Sequence, residues 1–116
     1  MLNRVILIGR LVRDPELRYT DNGKAFGTFT LAIDREYVNN EGETDTDFID
    51  VITWERLAEN CTQFLEKGRM TAVEGRLQIR KNKKEEKTYI NPEVVARNVR
   101  FIDWPEKAET VSKNEE

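Results

Sequence analysis

Aromatic rings set beside cations are the residues of this sequence best suited to do chemistry. DFIDVITW, residues 47–54, is the sharpest case. In an extended chain it places Phe48, Asp50, Ile52 and Trp54 on one face and Ile49, Val51 and Thr53 on the other. Tyr37 ends the preceding apolar run. Rings that face solvent can stack on unpaired bases at about 1–3 kcal/mol each, while lysine and arginine follow the phosphates. The same rings could instead fill a core, with Ile49 and Val51 turned toward a partner subunit. Alternation alone leaves both readings open.

Other chemistries find little support. The 116 residues include no histidine and one cysteine, so the usual general base, the commonest metal ligand and a structural zinc set are missing. Neither GxxxxGK[ST] nor GxGxxG occurs to cradle a phosphate. Cys61 lies on an apolar helical stripe, where a free cysteine is usually a buried hydrophobe. No enzyme, metal or cofactor is expected. Unpaired cysteine usage fits a cytoplasmic protein, and MLNRVILIGRLV is too short an apolar run for a membrane span and lacks a signal-peptide cleavage pattern.

The formal net charge of -3 argues weakly against a nucleic-acid partner until it is resolved by position. Residues 103–116 carry five acids and two bases, which leaves 17 of each sign in the first 102. Within those, acids gather from Asp34 to Asp50 and bases at Arg76, Arg80, Lys81, Lys83, Lys84, Lys87, Arg97 and Arg100. A neutral average hides a basic region.

The elements that must position these groups read as strands with one helix. Residues 3–12 form a strand, apolar on both sides, that ends at RDPEL because Pro15 forbids continued pairing. DNG at 21–23 is a turn, AFGTFTLAI a second strand, VNNEGETDT a hairpin loop and DFIDVITW a third strand. Leu57, Ala58, Cys61, Phe64 and Leu65 then follow one helical stripe, with Lys67 in its last turn and Gly68 as a left-handed cap. MTAVEGRLQI and TYINPEVVARNVRFI are the fourth and fifth strands, joined by a charged turn, KNKKEEK, with Pro92 at a bulge or an edge. An all-β chain of five strands with a helix between the third and fourth matches the five-stranded Greek-key OB barrel, though other small five-stranded folds share that order.

NRVILIGRLVRDPELRYTDNG, TLAI, the stretch ending at Trp54, RLAENCTQFLEKG and VEGRLQIRK, in this succession, resemble bacterial single-stranded DNA-binding protein across residues 1–102. The resemblance implies an OB fold, a homotetramer built as a dimer of dimers, and sequence-independent binding of single-stranded DNA in replication, recombination or repair. It assigns stacking to Tyr37, Phe48 and Trp54, which favours the outward aromatic face. It assigns phosphate contacts to Arg4, Arg18, Arg56, Lys67, Arg80 and Lys81. Two positions depart from the family pattern: Asn82 replaces a stacking tryptophan, and Asp50 replaces an arginine. An assembly module similar to primosomal replication protein N, acting mainly by protein docking, is the alternative.

Residues 1–104 are therefore expected to form the domain and 105–116 a short disordered acidic tail. It ends VSKNEE, without the phenylalanine-ended acidic tip of the family. Weak or absent tail-mediated recruitment of replication and repair proteins is the expectation. Localisation is expected to be cytoplasmic, associated with the nucleoid.

Overall fold

The computed structural model describes residues 1–102, so Trp104 and the expectations for the tail lie outside the described residues. The chain forms β1 (Val5–Leu11), β2 (Glu16–Tyr19), β3 (Ala25–Val38), β4 (Thr44–Trp54), α1 (Glu55–Phe64), β5 (Met70–Lys84) and β6 (Lys87–Phe101). The sheet runs β1-β5-β6-β4-β3-β2, and a further β1–β3 pairing at Arg10↔Ala32 and Leu11↔Leu31 closes it. All pairings are antiparallel but one. β4 and β6 run parallel at Asp50↔Glu93, Val51↔Val94 and Ile52↔Val95. This is the OB barrel, its first strand broken into β1 and β2.

That break corrects the reading of RDPEL. Pro15 does interrupt pairing, yet Glu16 to Tyr19 resume it, now against β3 at Glu16↔Thr28 through Tyr19↔Ala25. One bent strand thus serves two neighbours. The DNG turn that follows closes with Gly23 at φ 87 and the Thr20 amide donating to the Lys24 carbonyl at 2.9 Å.

Alternation filled the barrel as the apolar pattern dictates. Leu11, Phe29, Leu31, Val51, Val73 and Val94 form the core, against which α1 lays Cys61 and the chain just beyond it Leu65. Thr53, also fully buried, donates its hydroxyl to the Gly27 carbonyl at 3.2 Å, which satisfies its polar group. The helix stripe is as expected except at its end. Leu65 leaves the helix in an extended conformation, its amide bonded to the Cys61 carbonyl, so Gly68 is no helix cap and Lys67 lies beyond the last turn. Gly68, at φ 88, instead turns the chain toward β5 and donates its amide to the Leu11 carbonyl.

Two hairpin arms extend past the barrel, where the sequence reading placed loops. β3 continues to Val38 and β4 begins at Thr44, while β5 and β6 pair out to Lys84↔Lys87 across a two-residue turn. Glu85 and Glu86 both adopt positive φ, 53° and 67°, the sense that matches strand twist in tight hairpins. KNKKEEK is therefore mostly strand. The tip of this arm, residues 81–87, carries polar side chains on both faces and has no reason to alternate, so its charge run carries no strand signature.

Burial pushes the Cys61 thiol up to about 12. An unfolded thiol ionises near pH 9.0, so this group's contribution to stability is fully present below that pH and is lost as pH rises toward 12. Denaturant midpoints should accordingly fall on the alkaline side more for the native chain than for Cys61→Ala. In the folded state at pH 8, iodoacetamide should label Cys61 far more slowly than in urea.

Candidate functional site

The face of the barrel outside β2, β3, β4 and the start of β6 carries the groups singled out by type. On β4, Val51 and Thr53 are fully buried, whereas Phe48 is 65% and Trp54 42% exposed, with Asp50 between them. Val51 and Thr53 therefore belong to the core and Phe48, Asp50 and Trp54 face out, while Ile52 on that outer face is covered and Ile49 on the inner face is only partly buried. Register extends this row onto β3, where Phe26 opposes Trp54, Thr28 opposes Ile52, Thr30 opposes Asp50 and Ala32 opposes Phe48. Phe26 and Trp54 meet with ring centroids 5.5 Å apart and planes tilted by 37°.

Phe26 was not visible as a site residue in the sequence. It reads there as the start of a strand whose later aromatic, Phe29, points inward. Its signal was parity: Phe26 is an odd number of residues from Phe29, so the two must face opposite ways. Trp54 is fixed from the other side, since Glu55 steps through φ 56 to turn β4 directly into α1. That left-handed step at a non-glycine residue costs about 1–2 kcal/mol.

Tyr37, 66% exposed, stands apart from this row. Tyr37 is an odd number of residues from Ala32, which opposes Phe48, so unbroken alternation would set it on the other face, and the β3–β4 register also shifts between Asp34 and Val38. Its neighbour is Arg35, which donates through Nη2 to Asp47 Oδ1 at 3.0 Å and through Nε to Oδ2 at 3.2 Å. The fork holds the Asp47 carboxyl below its ordinary range and the guanidinium above its own, with the Tyr37 hydroxyl as the second influence on Arg35.

Charged groups surround a cleft of about 430 Å³ on this face, lined by Arg13, Arg18, Arg80, Glu16, Asp50 and Glu93 among others. Arg18 pairs with Glu16 at 3.1 Å and Arg80 with Glu93 at 3.4 Å. Glu93, only 6% exposed, also accepts from Gln78 Nε2 at 2.8 Å. Asp50 accepts from the Thr30 hydroxyl at 2.9 Å, a neutral donor that fixes the carboxylate without cancelling its charge.

The remaining cations named from the sequence are dispersed. Arg4 pairs with Glu74 at 2.8 Å beside the start of β1. Arg56 is exposed at the start of α1, and Lys67 is exposed in the turn before β5, its amide bonded to Asp14. Arg80 and Lys81 are successive strand residues, so they lie on opposite faces of the β5–β6 arm, and only Arg80 shares the Glu93 face. Pro92 pairs with Ile79 on an arm whose other side is open, and the irregularity of this pair of strands falls elsewhere, between Glu74 and Gly75. Among the described residues no helix is long and apolar enough to cross a membrane.

The barrel and the sequence that builds it both have counterparts among known proteins. Single-stranded DNA-binding protein A of Bacillus subtilis is 50% identical over 105 residues, covering 89% of this chain. The chain spans 60% of that relative's length. Single-stranded DNA-binding protein 2 of Listeria innocua is 45% identical over 115 residues, covering 98% of this chain and 72% of the relative. A solved structure described as the Plasmodium falciparum SSB complex with ssDNA superposes with a TM-score of 0.81 at 26% identity, covering 89% of this chain and 96% of that one. The model of the Single-strand binding protein family matches residues 2–102, the whole of the barrel and both arms. Sequence and barrel agree, and the chain belongs to the single-strand binding protein family.

Proposed function

We propose that this chain binds single-stranded DNA without sequence preference and protects it during replication, recombination or repair, without catalysing a reaction. The outward row of Phe26, Trp54 and Phe48 carries the reading, supported by membership of the family. Every base has a π face, so stacking on Trp54, Phe48 and Tyr37, with Phe26 bracing Trp54, tolerates any sequence. Asp50 and Glu93, which line the cleft, repel phosphate, which favours bases toward the sheet and the backbone along the rim. Arg18 and Arg80 supply that rim, and Arg4, Arg56, Lys67 and Lys81 are phosphate contacts farther along the path of the strand.

We place the function in a homotetramer, a dimer of dimers. Ile6 and Ile8 are exposed on the outer side of β1, and Leu77, Ile79 and Ile90 are exposed on one face of the β5–β6 arm. Such surface is rarely left wet in quantity. Light scattering should return the mass of four chains, and a monomer at micromolar concentration would remove the assembly from the proposal.

Titration of tryptophan fluorescence tests the binding itself. A Trp104→Phe background leaves Trp54 as the sole reporter. Oligo-dT should quench it, duplex DNA of equal length should not, and log affinity should fall with log salt by about 0.7 per phosphate neutralised. Equal response to duplex, or none to either, would shift the balance to the docking reading, which the carboxylates Glu16 and Asp50 on the same face favour.

A further inference from the structure

Strands β5 and β6 lose register once. Glu74 opposes Asn98 and Gly75 opposes Ala96, so Arg97 has no partner on β5. A Cβ at Gly75 would run into the Val95 carbonyl oxygen, so the close approach of the strands here requires glycine. A bulge of this kind bends its strand and re-aims the side chain it releases. Here that side chain is a guanidinium.

A depression of about 520 Å³ lies at the bulge, walled by Leu2, Val95 and Ala96 and rimmed by Arg4, Arg76 and Arg97, with Glu74 as its acid. Glu74 is already engaged. Asn98 Nδ2 donates to its Oε1 at 2.9 Å and Arg4 Nη2 to its Oε2 at 2.8 Å. The carboxyl is held below its ordinary range, first by Asn98 and then by Arg4 and Arg97. Arg76 donates to the neutral Gln78 Oε1 at 3.2 Å, and among the described residues no ion pair engages Arg76 or Arg97. The depression therefore holds two guanidinium charges in excess, against partly apolar walls that screen them less than open water does.

We propose that this depression is a second phosphodiester subsite, in which Arg76 and Arg97 grip the backbone of a single strand after it leaves the aromatic face. The inference rests on the single-strand reading above. Continuity favours a strand over an isolated anion. Arg76, Gln78 and Arg80 occupy alternate positions of β5 and so share one face, the face on which Arg80 meets Glu93 and the aromatic row begins. Four residues of strand set Arg76 about 13 Å beyond Arg80. Planar forks suit phosphate oxygens better than the point charges of lysine do.

Oligo-dT of increasing length, titrated at several salt concentrations against the full chain, tests this. Arg76→Ala/Arg97→Ala should match the unmodified chain on the shortest oligonucleotides that bind and weaken on longer ones. With the long strands its salt slope should be shallower by about 1.4, the value for two phosphates. Lys107→Ala/Lys113→Ala removes the same net charge from the C-terminal stretch and should change the slope little. Arg97→Lys should keep the charge and lose part of the affinity. An unchanged slope, an equal drop in the lysine control, or a loss already complete on the shortest strands would overturn the subsite while leaving single-strand binding intact. Failure of the unmodified chain to bind any oligo-dT would instead sink the parent reading and the subsite with it.

Discussion

Trp54→Ala weakens binding of oligo-dT by about 1–3 kcal/mol, roughly 5- to 150-fold, with little change in thermal stability. The asymmetry follows from where the ring sits. Trp54 ends β4 on the face opposite Val51 and Thr53, so its loss opens no cavity in the barrel. What the fold loses is the contact with Phe26, and an aromatic pair contributes about 0.5–1.5 kcal/mol. What the ligand loses is a π face held at a fixed angle by its neighbour. Phe26→Ala should then show the mirror image of a direct contact: a small affinity loss, because Trp54 remains but is less well oriented. A Trp54→Ala chain that binds normally yet melts many degrees lower would show the ring to be packing, and the stacking assignment would fall.

Leu31→Ala should do the reverse, costing about 2–5 kcal/mol of folding free energy while leaving the affinity of the folded fraction near that of the unmodified chain. Leu31 is fully buried and stands at the point where the barrel closes, opposite Leu11 of β1 and Ile49 of β4. Few positions touch both sides of the closure. A domain of this size has about 5–15 kcal/mol in hand, so the loss is a large share of it. Chemical denaturation read by circular dichroism gives the first quantity and titration below the transition gives the second. If both fell together, core and binding face would be coupled, and the separation of the two faces of β4 would be an oversimplification.

That separation was the part of the molecule most legible beforehand. Alternation sorted 25–33 and 47–54 each into two faces, and in 47–54, where both faces carry bulk, it left open which one is the core until the family resemblance favoured the aromatic face outward. The helix stripe was legible from its spacing. Pairing partners were not. Phe26 acquires its role only through register with Trp54, and Arg97 only through a bulge, and neither relation is a property of one segment. The ends of the arms were hidden because polar residues on both faces, as in 81–87, remove the pattern that marks a strand. Resemblance supplied Arg80 and Lys81 together, while backbone geometry sends them to opposite faces.

The parallel contact between β4 and β6 has a consequence in time. Asp50 meets Glu93 only after the helix and the whole of β5 have been laid down between them, and hairpins cannot make that contact for free. Closing so long a loop before any reward makes such pairings late and slow to form. Until it forms, one edge of β4 is unpaired while Phe48 and Trp54 already crowd its outer face. The rings suited to hold a strand of DNA are thus, during folding, the surface most able to hold another unfinished chain.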